Sequence, residues 1–198
     1  ISLIRMDNVK GFQMEINKVQ DFNYQLRYDM KWDFTGLLPI RATIFEISIF
    51  FNAIKCFDYI LLNYIQQRKV PKKDLHEVPK FLFASENEEM FSKLGYLNLF
   101  DKEEYLTYFK IAIAYQNNSY FFNYLSETLG APISYDSIYL AGKSNNFSIF
   151  KKLIYKFGAR LNGALFGAYE SDSMEALKIL IQLKSSDINN GVDIFFKK

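Results

Sequence analysis

One motif in the sequence resembles a phosphate-binding loop. Ala141-Gly142-Lys143-Ser144 contains the Gly-Lys-Ser with which such a loop enters a helix, where backbone N–H groups cradle phosphate oxygens. The loop requires another glycine five residues before Gly142, and this chain has Ser137 there. The motif also falls inside a predicted helix instead of following a strand. We therefore expect no nucleotide site and no cofactor.

Nucleophilic and metal chemistry are limited by one cysteine and one histidine. Cys56 lies beside Phe57 on a predicted helix face, where a cysteine acts as a small hydrophobe. His76 follows a basic segment and is expected to be a solvated residue at a helix start. No third group is present to orient a thiol–imidazole pair, and a single cysteine excludes an internal disulfide and a cysteine-rich zinc site. We expect no catalytic residue, no metal site and no enzyme.

Charged clusters have structural explanations as well. Acidic residues at the start of a helix complement the helix dipole, and two such groups occur at Glu86, Glu88, Glu89 and at Asp101, Glu103, Glu104. The compact basic cluster consists of Arg68, Lys69, Lys72 and Lys73. We expect it to be a solvated loop, because the net charge of +2 is too small for a nucleic-acid surface.

Composition sets the class of the chain. Its 198 residues are 49% hydrophobic and 23% charged, which is typical of a folded domain or a short repeat array. The most apolar stretch, residues 44–65, carries Glu46, Lys55 and Asp58, so no membrane span is predicted. The lack of structural cysteines favours an intracellular location, cytoplasmic or cytoskeletal.

A spacing pattern repeats along the chain. In each copy a polar residue is followed by apolar residues five and eight positions later, as in Asn52, Phe57 and Ile60. The other polar positions are Glu86, Asn117, Asn145 and Asp172, with a weaker first copy at Asp7. The five strong copies are 34, 31, 28 and 27 residues apart, and periods of this length indicate stacked structural repeats.

Each copy predicts two short helices. An apolar run precedes the polar position, and apolar residues at helical spacing follow it, as at Phe150, Leu153 and Phe157. Glycines that can adopt a left-handed conformation are expected to end the second helices, at Gly95, Gly130 and Gly158. A buried strand is the alternative for the runs near Ile44 and Ile111. Ala42, Ala112, Ala114 and the absence of clean alternation favour helix.

The pattern gives a domain organisation of one array with an N-terminal addition. Residues 1–37 are interpreted as a weak first repeat or cap with an inserted loop, and residues 38–198 as the array, with about five helix pairs and the start of another. The polar and aromatic segment 19–36 is the inserted loop, in which a short hairpin is possible.

Three segments match the motifs of a known helical repeat. Residues 165–172 followed by 176–180 align with its helix pair, Gly158-Ala159-Arg160-Leu161-Asn162 with its Gly-Ala-Asp-x-Asn turn, and Gly130-Ala131 with the same turn. On these motifs the chain resembles the ankyrin-repeat family. The Thr-Pro-Leu-His opening is absent, and the later copies are too short for the family's projecting hairpins. The resemblance is to degenerate ankyrin-like repeats of the type found in protists and large viruses, and implies an all-α solenoid of antiparallel helix pairs. Another α-solenoid is the alternative.

The resemblance implies a protein-binding scaffold that carries out no catalysis. The alternative is a structural subunit permanently embedded in a large assembly, such as a cytoskeletal one. In ankyrin-like arrays the first helix of each pair lines the concave face. With short hairpins, we expect the partner to bind the solvent-facing ends of these helices and the turns after them, at Tyr115, Gln116, Lys143, Ser144, Glu170 and Ser171.

Overall fold

The computed structural model describes residues 1–18, 27–33, 35–67, 69–115, 120–156, 167–170, 174, 177–178 and 181–182. These residues are mostly helical, so the predicted all-α class is confirmed. The helices are α1 (Ser2–Arg5), α2 (Val9–Lys18), α3 (Ile44–Phe50), α4 (Ile54–Ile60), α5 (Val78–Ser85), α6 (Glu88–Leu94), α7 (Tyr105–Tyr115), α8 (Tyr120–Asn123), α9 (Tyr135–Lys143) and α10 (Phe147–Tyr155). Single turns of other helix types are Leu61–Ile65 and Tyr124–Thr128 (π) and Lys72–Leu75, Gly95–Leu97 and Lys102–Glu104 (3₁₀).

The helices pack as successive pairs. The first helices α1, α3, α5, α7 and α9 each contact the next one in this order, and α2 contacts α4 on the other side. Two of the first helices are buried on almost every face: residues 44–49 of α3 are all buried, as are seven of the eight residues of α5. Helices of this kind belong inside a stack, between two neighbours. The runs near Ile44 and Ile111 are therefore helical, as the sequence predicted.

The residues at the repeated polar positions share a left-handed backbone conformation. Asp7, Asn52, Glu86 and Asn145 lie between the two helices of a pair, and their φ angles are 47°, 54°, 59° and 57°. Asn and Asp tolerate this left-handed region better than most residues, which explains their recurrence. Asn117 and Asp172 are outside the described residues.

The residue after the polar position starts the second helix. Asn87 and Asn146 cap α6 and α10, and accept hydrogen bonds from the backbone N–H groups three residues later at 2.9 and 3.3 Å. Asn8 accepts the equivalent bond from Gly11 at 3.0 Å. Asparagine is among the best N-cap residues because its short side chain reaches these otherwise unpaired N–H groups.

The cap of α4 comes from the preceding pair. Its N-cap residue is Ala53, which has no side-chain acceptor. The Asp7 carboxylate instead accepts hydrogen bonds from the backbone N–H groups of Lys55 at 3.3 Å and Cys56 at 3.0 Å. The contact is favourable because a helix N-terminus attracts a negative charge. Since Asp7 lies between α1 and α2, it also joins the first two helix pairs.

The second helices end in different ways. Gly130 has a φ of +67° after the π turn Tyr124–Thr128, as predicted. The helix α6 ends with Gly95 as its C-cap residue, as predicted, but this glycine is not left-handed: its φ is −54°. A 3₁₀ turn follows, and Asn98 takes the left-handed conformation with a φ of 49°. Asparagine serves as well as glycine here because it also tolerates positive φ. Gly158 is outside the described residues, and its positive φ stays a prediction.

A two-stranded antiparallel sheet precedes α3. Strand β1 (Arg27–Asp29) pairs with β2 (Arg41–Thr43), with Tyr28 opposite Ala42. Met30 and Leu38, on the chain that joins the strands, are 7% and 5% exposed and belong to the same hydrophobic core as the helices. The described part of segment 19–36 is therefore packed against the helix pairs.

Candidate functional site

The residues predicted to bind a partner fall into two separate environments. Tyr115, at the end of α7, was expected to face solvent, and this is wrong. The side chain is half-buried, its ring lies 5.7 Å from that of Phe50, and its hydroxyl donates a hydrogen bond to Asp33. Ser144 is also half-buried, whereas Lys143 and Glu170 are exposed as expected. Gln116 and Ser171 are outside the described residues.

Tyr115 is covered by the chain between the two strands, which we call the strap (residues 30–33 and 35–38). Asp33 accepts hydrogen bonds from the Thr35 N–H at 2.8 Å, the Thr35 hydroxyl at 2.6 Å and the Leu38 N–H at 3.1 Å, in addition to the one from Tyr115. Burial raises the pKa of Asp33, but the hydrogen bonds from Thr35, Tyr115 and Leu38 outweigh it and hold that pKa below its ordinary value.

Aromatic contacts hold the other side of the strap. The Trp32 ring lies 5.0 Å from that of Phe51 in an edge-to-face arrangement, a favoured geometry for aromatic pairs. The Arg5 guanidinium lies 5.7 Å from the Trp32 ring and 5.1 Å from the Phe51 ring. The strap therefore covers the ends of α1, α3 and α7, which include part of the face expected to receive a partner.

Lys143 and Glu170 form a polar cluster with Tyr139 on an exposed surface. The Lys143 Nζ lies 3.5 Å from the Glu170 carboxylate and donates a hydrogen bond to the Tyr139 hydroxyl at 3.2 Å. The Tyr139 hydroxyl in turn donates to Glu170, and these bonds lower the pKa of Glu170. Lys143 is the last residue of α9, so the Gly-Lys-Ser motif lies at the C-terminal end of a helix, where carbonyl oxygens disfavour phosphate.

Cys56 and His76 belong to different clusters. Cys56 is fully buried in the first turn of α4, where burial and the adjacent Asp7 raise its pKa to about 11. A thiol with this pKa stays protonated at neutral pH and is a poor nucleophile. His76 lies instead on the chain before α5, where its Nδ1 is 2.9 Å from the Lys73 carbonyl oxygen and its Nε2 is 3.2 Å from Glu77.

A cleft that the sequence did not predict opens between two connecting segments, residues 69–77 before α5 and residues 95–104 before α7. We call it the connector cleft. Its main part has a volume of about 430 Å³ and is lined by Lys72, Lys73, His76, Glu77, Lys80, Leu99, Asp101, Glu104 and Tyr108. An apolar part of about 310 Å³ shares Lys72 with the main part and is lined by Ile65, Val70, Pro71, Lys72, Leu75 and Leu97.

Most of the charged groups of the cleft bind one another. The Lys80 Nζ lies 3.0 Å from Glu77 and 3.8 Å from Glu104. Asp101 uses its carboxylate to cap the following turn, by accepting the Glu103 N–H at 3.0 Å. Lys72 and Lys73 are exposed, and neither has an ion-pair partner within the described part of the chain.

Tyr108 forms the floor of the main part. Its side chain is 1% exposed, and burial raises its pKa to about 12. Tyr108 is therefore neutral at any physiological pH and contributes surface without charge. The sequence feature from which this cleft could have been predicted is the presence of apolar residues in the two connecting segments, at Val70, Leu97 and Leu99.

Several classes of site are not found. No three His, Cys, Asp or Glu side chains among the residues described above are placed to hold a metal ion. None of the helices that these residues form has both the length and the apolarity needed to cross a bilayer. Comparisons with protein-family models, with curated proteins and with solved structures gave no match.

Proposed function

We propose that this chain is a non-catalytic protein-binding scaffold built from degenerate ankyrin-like repeats. The observation that carries the proposal is the recurrence of one unit: a buried first helix, a left-handed Asp, Asn or Glu, and a second helix, with each first helix packed on the next. Stacked units of this kind create extended surfaces, which suit the binding of another protein.

Contacts between units support the same proposal. The Asn52 side chain donates to the Ser85 carbonyl in the next pair at 2.7 Å, and the Asn146 side chain donates to the Ile113 carbonyl in the previous pair at 3.0 Å. The turns therefore bind successive units together through similar side chains.

The strap covers one part of the predicted partner-binding surface and leaves another part exposed. It covers Tyr115, while Lys143 and Glu170 stay exposed on α9 and on the helical residues 167–170. We therefore place the partner surface at this later end of the array. A partner bound there would lie beside Lys143 and Glu170, which already form an ion pair with each other. Its affinity would therefore depend more on the positions of these two side chains than on the net charge of the surface.

The test is a pull-down with crosslinking mass spectrometry from the source cells. The baits are the wild-type chain, the double variant Lys143→Ala/Glu170→Ala, and the control Lys151→Ala/Glu88→Ala, which removes the same charges from exposed positions elsewhere. We expect crosslinks to a protein at the later end of the array, and a loss of about fivefold or more in affinity for the first double variant only. Absence of any crosslinked protein would overturn the proposal.

The embedded-subunit alternative has an observation in its favour. Leu62 on the π turn after α4 and Tyr155 at the end of α10 are 55% and 68% exposed, and both belong to the second helices. Apolar side chains in obligate interfaces are covered in the assembly. Crosslinks that concentrate on these second helices, together with self-association of the purified chain in sedimentation analysis, would favour this alternative.

A further inference from the structure

We propose that the connector cleft binds an acidic segment of a partner protein that inserts one apolar side chain. This inference rests on the proposed function, since it names the kind of segment that the scaffold takes. It concerns a surface at the starts of α5 and α7, whereas Lys143 and Glu170 lie on later units.

The apolar part of the cleft sets the first requirement. Ile65, Val70 and Leu75 are 4%, 7% and 2% exposed and form its buried wall, and the half-buried Leu97 closes it from the other connecting segment. The volume of about 310 Å³ is at the lower end of the range for ligand-binding cavities. A single Leu, Met or Phe side chain of a partner fits such a space, and buried side chains of this kind carry most of the energy of many interfaces.

The lysines set the second requirement. Lys72 lines both parts of the cleft, and Lys73 is its neighbour in the main part. Because both lack an ion-pair partner in the described part of the chain, an acidic residue next to the inserted side chain would gain two new charge contacts. Lys80 cannot serve in the same way, because it already pairs with Glu77 and Glu104.

The acidic wall sets the third requirement. Asp101 and Glu104 line the main part on the side of α7, and they would repel a long run of acidic residues. The preferred segment therefore carries one or two acidic residues beside the apolar one, with a neutral or basic residue farther along. This requirement distinguishes the segment from a nucleic acid, which carries a negative charge at every nucleotide.

The test uses phage display of short random peptides on the purified chain. Selected peptides are synthesised and their affinities measured by fluorescence anisotropy with the wild-type chain, with Lys72→Glu/Lys73→Glu, and with Leu97→Ser. The control is Lys10→Glu/Lys151→Glu, which makes the same charge change at exposed positions outside the cleft. Circular dichroism checks that each variant is folded.

We expect enriched peptides to contain an apolar residue within two positions of an Asp or Glu. Their affinity should fall about tenfold or more with Lys72→Glu/Lys73→Glu, fall with Leu97→Ser, and remain unchanged with the control. Enrichment of no peptide, of peptides without this pairing, or of peptides that bind the charge-reversed variant equally well would overturn the inference. The proposed function would survive that result if the partner still crosslinked near Lys143, and it would fail separately if no protein crosslinked to the chain.

Discussion

Removal of the Asp7 side chain should destabilise the fold through a helix in another unit. Asp7→Gly keeps the left-handed turn, because glycine adopts its φ of 47° freely, but leaves the N–H groups of Lys55 and Cys56 without their acceptor. Loss of an N-cap costs about 0.5–2 kcal/mol, and loss of the charge at the helix N-terminus adds about 0.3–1 kcal/mol. We expect Asp7→Gly to lower the free energy of unfolding by about 1–3 kcal/mol.

Two further variants at this position separate the side chain from the backbone. Asp7→Asn keeps an acceptor and the tolerance of positive φ, so only the charge contribution of about 0.3–1 kcal/mol should be lost. Asp7→Ala loses the acceptor and also places a Cβ in the left-handed region, which adds about 1 kcal/mol or more. The expected order of stability is wild type, Asp7→Asn, Asp7→Gly and Asp7→Ala, measured by urea unfolding with circular dichroism.

A local cap provides the decisive control. Ala53 has φ and ψ of −80° and 74°, nearly the same as the −83° and 74° of Asn146, which does cap its helix. The hydroxyl of a serine at position 53 should therefore accept the hydrogen bond from the Cys56 N–H that Asp7 accepts in the wild type. Ala53→Ser should then recover stability in the Asp7→Gly background more than in the wild type. Equal effects in both backgrounds, or an Asp7→Gly variant as stable as the wild type, would refute the capping argument.

Three other predictions follow from the packing. A Cβ at Gly167 would lie 2.2 Å from the Tyr139 carbonyl oxygen, so Gly167→Ala should lower the free energy of unfolding by about 1–3 kcal/mol and speed hydrogen exchange in residues 167–170. Gly95→Ala is the control: its Cβ meets no atom within 4 Å, so the free energy of unfolding should change by less than about 0.5 kcal/mol. The pKa of Asp33 is lowered in the folded chain, so the ionised carboxylate should stabilise the fold fully above its ordinary pKa of 3.8, and this stabilisation should be lost as the pH falls below that value. The difference in urea midpoint between the wild type and Asp33→Asn should therefore shrink in acid. A difference that stays constant with pH would contradict this. Cys56, with its pKa raised to about 11, should react with iodoacetamide at neutral pH only as fast as the chain unfolds, and a rate equal to that of the unfolded chain would contradict its burial.

Local rules made the units of the fold predictable. The left-handed turn restricts its residue type, and helix faces require apolar residues at fixed spacing, so Asn52 or Asn145 together with the residues after it revealed the helix pairs. Glu86 occupies the same left-handed position with a residue that tolerates it less well. It was found because its spacing to Phe91 and Leu94 was intact.

Contacts between distant segments were not predictable. Tyr115 was predicted to lie on the surface because the residues around it have the pattern of a helix end. Nothing near it in sequence shows that Asp33, 82 residues earlier, accepts a hydrogen bond from its hydroxyl. The connector cleft was missed for a similar reason. Its two walls come from separate connecting segments, and whether Val70 and Leu97 line one cavity depends on how α5 and α7 stack.

The strap changes how the array should respond to stress. In a stack where each unit touches only its neighbours, folding free energies add along the chain and the ends can fray independently. The contact between Asp33 and Tyr115 bypasses the pair α5–α6 and closes a loop of 82 residues. Closing so long a loop costs conformational entropy, so we expect the contact to form together with the units between. We therefore expect residues 30–115 to melt as one cooperative block, whereas α9 and α10 lie outside this loop and should open separately.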